Sequence, residues 1–221
     1  MAYKVYISPS SQTENTYASG NTNEAVQCRR IAEALIDALI RCGFEVMTDS
    51  GESSTMYTRV AQSNIWGADL HVPIHTNAFD GSMQGTRLFC LNVTGEGYKA
   101  AKAIFDALSP IVPGTSDGIR AAGYYEIVAS RAPCAYVEAA FHDPPEQAAW
   151  IISHSDPIPA AICKGICAYF GVSYVPGQER FFYRVQVGAF RNRGNADSLA
   201  DKLKKEGYEA FVSQVKETEN G

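Results

Sequence analysis

Long apolar runs are missing from this chain, and so is any surplus of positive charge. No stretch approaches the roughly 18 apolar residues of a membrane span, so no membrane partner is expected. Lys and Arg number 19 against 24 Asp and Glu, a formal net charge of −5. Residues 1–174 carry −6 and residues 175–221 carry +1. Neither part has the basic excess that points to nucleic acid. The six cysteines, Cys28, Cys42, Cys90, Cys134, Cys163 and Cys167, include no Cys-x-x-Cys pair. They are expected to be reduced and mostly in the core, with no zinc-thiolate site. Histidine is scarce, with only His71, His75, His142 and His154 available to any imidazole chemistry. Internal repeats and low-complexity tracts are also absent. The opening Met1-Ala2-Tyr3-Lys4-Val5-Tyr6-Ile7 reads as a strand and lacks the apolar core of a signal peptide. Synthesis in the cytoplasm without the usual export signal is therefore expected.

What is present is enough apolar material, 46 % of 221 residues, for one good-sized domain and a small one. Strand patterns fall at 3–7, 44–48, 69–75, 86–91 and 133–141, with a shorter one at 125–128. Helical periodicity falls at 24–42, 55–66, 95–108, 145–153 and 158–170. Residues 109–123, rich in Pro and Gly, read as loop. This alternation predicts an α/β fold, a mostly parallel sheet flanked by helices, over residues 1–174. Residues 175–180 form a linker. Residues 181–221 read as a small C-terminal βαβ (α+β) unit, with strands at 181–190 and 208–215 around a helix at 195–206.

The stretch Ala68-Asp69-Leu70-His71-Val72-Pro73-Ile74-His75-Thr76-Asn77 is a buried strand that ends on polar residues. Alternation sends Leu70, Val72 and Ile74 to one face and His71, Pro73 and His75 to the other. In an open α/β sheet, ligands bind beyond the carboxyl ends of the strands, where His75 sits. Glu24 opens the helix that follows the first strand and its loop, at the same end. By itself it suits the positive end of a helix, as His75 by itself suits a cap on the sheet. Glu138, in Tyr136-Val137-Glu138-Ala139-Ala140-Phe141, is a carboxylate delivered by another buried strand. Taken alone it fits either an arginine pair or a general base.

Three of these stretches, taken along the chain as Glu24, His75 and Glu138, resemble motifs of the zinc-dependent N-acetylmuramoyl-L-alanine amidases in the family's order. Ile74-His75-Thr76-Asn77 is similar to their Ser-Ile-His-Ala-Asn signature. Asn23-Glu24 stands where they keep a zinc-binding glutamate, and Val137-Glu138-Ala139-Ala140-Phe141 is similar to their Val-Glu-Gly-Gly-Phe. The resemblance covers residues 3 to about 170. It implies hydrolysis of the amide between muramic acid and L-alanine in peptidoglycan. It also implies zinc as cofactor, Glu24 and His75 as ligands, and Glu138 as the base that takes the proton of the attacking water. The chain departs from the family pattern after the first strand, where Asp-Pro-Gly-His-Gly-Gly is usual and Ser8-Pro9-Ser10-Ser11-Gln12 stands here. Ser11 holds the position of the first zinc-binding histidine. His142, four residues after Glu138, is the spare histidine at the correct end of the sheet and is expected to be the third ligand. Gln12 and Asn77 are expected to touch substrate. Tyr183-Arg184-Val185-Gln186-Val187-Gly188-Ala189-Phe190 resembles the start of the sporulation-related (SPOR) peptidoglycan-binding repeat. Tyr183, Arg184 and Gln186 are the sugar contacts this implies. Glycan strands and stem peptides are thus the expected partners, met at the cell wall after release. A phage endolysin and a host autolysin both fit. The second reading, from another class, is a metal-free peptidoglycan-binding protein that has lost catalysis, motivated by Ser11.

Overall fold

The computed structural model describes residues 2–49, 51, 54–177, 186–208 and 210–213. It divides into two compact units, Met1–Gly177 and Gln178–Gly221. In the first unit the order is β1 (Lys4–Pro9), α1 (Glu24–Arg41), β2 (Glu45–Thr48), α2 (Met56–Trp66), β3 (Leu70–Asn77), β4 (Arg87–Cys90), α3 (Glu96–Leu108), β5 (Gly118–Ala121), α4 (Tyr125–Ala129), β6 (Tyr136–Phe141), α5 (Pro145–Ser153) and α6 (Pro157–Phe170). The sheet order is β2-β1-β3-β6-β4-β5. Strands β1, β2, β3 and β6 are parallel; β4 runs antiparallel to β6, with β5 parallel to β4. This is the α/β fold expected from the alternation of elements.

The central strands are buried on both faces, which is why they read as near-continuous apolar runs. Val5, Ile7, Leu70, Val72, Ile74 and Val137 join residues of α1, α3, α5 and α6 in the main core. Helices α2 and α4 pack together, and α2 also packs on β1. A smaller cluster of Phe89, Ile127, Cys134 and Tyr136 accompanies them.

Two elements differ from the sequence reading. Residues 118–121, read as loop, form the edge strand β5; Gly118 takes a φ of +79° and pairs with Arg87. A short polar edge strand has only one neighbour and carries no alternating apolar signal. Residues 125–128, read as a strand, form the helical turn α4. The Ile127-Val128 pair favours a strand locally, but tertiary packing overrides it. The turn lets Ile127 enter the small cluster while Glu126 turns into the sheet face.

The second unit contains α7 (Arg193–Lys205), capped by the Asn192 side chain, which accepts from Gly194 N–H at 2.8 Å. The strands expected at 181–190 and 208–215 fall partly outside the described residues, and their described parts, 186–190, 208 and 210–213, are not in strands.

Helix α6 lies against α3 closely enough that Gly165 has no room for a side chain. A Cβ there would meet Ala103 O and Ile104 N, each at 2.7 Å. Gly165→Ala should destabilise the protein by about 1–3 kcal/mol through overpacking, although alanine is favoured over glycine in a helix by about 1 kcal/mol. Urea denaturation of the full chain measures this; unchanged stability would mean the two helices can separate without loss.

Candidate active site

The site is assembled at the carboxyl end of the sheet. The loop after β1 folds over the start of α1 and satisfies its first amides. Glu24 N–H donates to Asn15 O at 2.9 Å, Ala25 N–H to Gln12 O at 3.2 Å, and Val26 N–H to the Asn23 side chain at 3.0 Å. This fixes Glu24, which is buried, against β3. His75 Nδ1 lies 2.7 Å from Glu24 Oε1, and Asn15 donates to Glu24 Oε2 at 2.7 Å. Burial pushes the Glu24 carboxyl upward, but the His75, Asn15 and Ser10 hydrogen bonds together with the His75 charge outweigh it and hold it below its usual range.

Glu138 comes from β6, directly beside His75 in the parallel ladder. Its side chain is buried, and Oε2 has no hydrogen-bond partner among the described residues. Desolvation, with Glu24 adding to it and His75 and Arg87 opposing, raises Glu138 to about 7. Arg87 is paired instead with Asp117. The carboxylate therefore does not have the arginine partner that a purely structural role would call for.

A third acid completes the site. Glu126, from α4, bridges the two histidines of β3: Oε1 is 3.3 Å from His71 Nε2, and Oε2 is 3.9 Å from His75 Nε2. Ser8 Oγ donates to the same carboxylate, Arg59 Nε donates to Ser8 Oγ at 2.8 Å, and Ser63 Oγ is 3.1 Å from His71 Nδ1. Burial raises the Glu126 carboxyl, yet the His71 and Ser8 hydrogen bonds, the His75 imidazole 3.9 Å away and the His71 charge bring it down to about 2. Its one sequence signal was a lone carboxylate inside Tyr124-Tyr125-Glu126-Ile127-Val128. The ring of Tyr136 stacks on His75 at 4.6 Å, and Tyr124 packs on Tyr136 at 5.1 Å.

His142, expected as a third ligand, is not brought to this group. Its Nδ1 lies 2.9 Å from Thr76 Oγ1, and its ring stacks on Tyr17 at 5.0 Å. The cause is a register shift. His75 pairs with Glu138, but Asn77 pairs with Phe141, so β6 carries one extra residue at a bulge. The bulge reverses the alternation, and His142 follows Thr76 to the opposite face from His75. Among the described residues, no three of Glu24, His75, Glu126, Glu138 and His142 bring their ligand atoms within 4.8 Å of one another. Gln12 is nearer: its exposed side-chain amide lies 3.4 Å from His75 Nδ1. Asn77 accepts from His142 N–H at 2.7 Å through its backbone carbonyl, and Gln186 belongs to the second unit, where it is exposed. Tyr183 and Arg184 lie outside the described residues.

The donor chemistry suits a cation. Glu24, Glu126 and Glu138 surround His75, and His75 Nε2, like Glu138 Oε2, is a buried polar atom without a hydrogen-bond partner. Carboxylate oxygen and imidazole nitrogen are both zinc donors.

Comparisons with known proteins bear on the same region. A family model described as N-acetylmuramoyl-L-alanine amidase matches residues 5–168, and a SPOR domain model matches residues 179–221. The N-acetylmuramoyl-L-alanine amidase CwlM of Bacillus licheniformis is 25 % identical over 217 residues, 95 % of this chain and 84 % of its own length. The sporulation-specific N-acetylmuramoyl-L-alanine amidase of Bacillus subtilis (strain 168) is 24 % identical over 216 residues, 95 % of this chain and 84 % of its own length. Among solved structures, the catalytic domain of the amidase CwlV from Bacillus (Paenibacillus) polymyxa var. colistinus matches with a TM-score of 0.71 at 18 % identity, over 77 % of this chain and 99 % of that one. The catalytic domain of the CD27L endolysin targeting Clostridia difficile matches at 0.64 and 20 %, over 75 % of this chain and 97 % of that one.

Glu126→Ala should unfold the chain more easily by about 3 kcal/mol or more, because it strands the buried His71 Nε2 and the Ser8 hydroxyl without an acceptor. Chemical denaturation reads the difference; a loss under 1 kcal/mol would mean these groups find water instead.

Proposed function

The chain belongs to the N-acetylmuramoyl-L-alanine amidase family, and we propose that it hydrolyses the amide between muramic acid and L-alanine with Glu138 as general base. The observation that supports this reading is the Glu138 carboxyl: buried, unpaired at Oε2, near neutral in pKa, and in register with His75. A structural carboxylate in that place would carry a partner; a catalytic one is left open for a proton.

Zinc is the family's usual cofactor. Here Glu24 and His75 would hold it, with Gln12, 3.4 Å from His75 Nδ1, as the third side chain in place of the histidine that Ser11 replaces. When bound, zinc supplies a Lewis acid and a water of lowered pKa. Glu138 Oε2 takes the proton from the attacking water and gives it to the leaving amine nitrogen of L-alanine. A pKa near 7 lets one carboxyl serve both steps. Asn15 holds Glu24 by its second oxygen, and Glu126 faces the far nitrogen of His75, so both donors keep one orientation. Tyr136 and Tyr124 wall the site beside His75 and suit the face of a sugar ring.

Residues 181–221 would attach the enzyme to glycan strands through Tyr183, Arg184 and Gln186; the SPOR match over residues 179–221 supports this role. Among the described residues no helix is long and apolar enough to cross a membrane.

Glu138→Gln should keep zinc, by elemental analysis after dialysis, and lose hydrolysis of purified cell walls by about 10²–10⁴-fold. Near-normal turnover would remove Glu138 from the mechanism. Glu24→Ala with His75→Ala should lose the metal, and Gln12→Ala should weaken its retention. Full zinc loss in His142→Ala would restore His142 as the third ligand, whereas a wild-type protein that takes up no zinc and cuts no wall would favour the metal-free binding protein.

Deleting residues 181–221 should reduce co-sedimentation with insoluble peptidoglycan while sparing cleavage of soluble muramyl peptides. Unchanged sedimentation would leave the C-terminal segment without this role.

A further inference from the structure

Three of the cysteines meet in the core. Cys42 is the residue that closes α1, and Cys163 and Cys167 stand one turn apart on α6. Cys42 Sγ lies 3.8 Å from Cys163 Sγ, Cys163 Sγ lies 4.0 Å from Cys167 Sγ, and all three sulfurs lie within 4.8 Å of one another. Among the described residues no other set of three His, Cys, Asp or Glu residues places its ligand atoms this close. All three are free and buried, and Cys42 keeps 8 % exposure, which leaves it as the point of access.

We propose that Cys42, Cys163 and Cys167 form a three-thiolate site for a soft d10 cation of the zinc, cadmium and copper(I) class, separate from the amidase centre. Thiolate donors select this class over the hard cations that prefer oxygen. The spacing agrees: a metal–sulfur bond of about 2.3 Å puts neighbouring sulfurs about 3.8 Å apart in a tetrahedron and about 4.0 Å apart in a trigonal plane. Val175 N–H donates to Cys42 Sγ at 3.2 Å, the kind of outer hydrogen bond that favours a thiolate and holds a ligand in place. Burial and the neighbouring sulfurs push the Cys163 and Cys167 thiols up, so the incoming cation itself has to displace their protons. The Tyr174 phenol, raised by burial and then by all three sulfurs, belongs to the same neighbourhood. Binding forms three metal–sulfur bonds and breaks three S–H bonds, and the three protons leave to solvent. The bound ion would tie the end of α1 to α6 and to the segment that carries Val175, so the folded chain gains stability by mass action.

The test uses the full-length protein, stripped of metal, reduced and kept without added thiol, titrated with Cd²⁺ alone. A thiolate-to-cadmium charge-transfer band in the ultraviolet is expected, saturating at one ion per chain, together with a rise in the thermal midpoint. Cys163→Ala and Cys167→Ala should each abolish the band. The double variant Glu24→Ala, His75→Ala should keep it, because the amidase centre offers no sulfur. Absence of the band in the wild type, or its survival in both cysteine variants, overturns the proposal. The wild-type titration decides the matter even if one cysteine variant fails to fold.

Discussion

The parallel pairing of β3 with β6 is the constraint on which the site depends. It sets His75 beside Glu138 and carries both to the carboxyl end of the sheet. The bulge that follows ends this alignment after one step. Strand β6 thereby delivers Glu138 to one face, and His142, just past its end, goes to the other, where Thr76 and Tyr17 receive it. The reversed strand β4 then starts beside Glu138, with Arg87 as its register partner. Arg87 is held by Asp117, so a cation stands near the base without neutralising it.

Around that pairing the protein buries an unusual amount of charge. Glu24, Glu126 and Glu138 face a single imidazole, and only two of the three acids are well satisfied. The Arg59–Ser8–Glu126–His71 chain works as a scaffold under the site. It spreads one carboxylate over two histidines that stand four residues apart on the same strand. Desolvation of this kind costs stability unless each group has partners. The unpaired Glu138 is where that cost is left uncompensated, as expected of a group whose partner is a reacting proton.

The two histidines of β3 show how such a scaffold extends a site. Strand spacing puts His71 about 13 Å from His75 along the chain, too far to share a metal. The structure links them through Glu126, whose one oxygen lies 3.3 Å from His71 Nε2 and whose other lies 3.9 Å from His75 Nε2. The thiol cluster of Cys42, Cys163 and Cys167 belongs to the same kind of assembly, made where a helix end meets a helix face.

The sequence by itself determined the α/β alternation, the strands that carry His75 and Glu138, and the helix start that carries Glu24. Each of those is a local pattern: an apolar run, a polar strand end, an N-cap followed by helical periodicity. It could not determine the α4 turn, whose Ile127-Val128 pair favours a strand until packing places Glu126 and Ile127 on different surfaces. Nor could it determine the edge strand β5, which has one neighbour and no apolar rhythm. The side of the sheet taken by His142 was hidden as well, because one extra residue in β6 reverses the alternation and leaves no compositional trace. The cysteine cluster was invisible for a related reason: Cys42 and Cys163 are 121 residues apart, and only the packing of α1 against α6 brings their sulfurs together. Periodicity along the chain fixes which elements form; contacts between distant segments decide which side chains share a site.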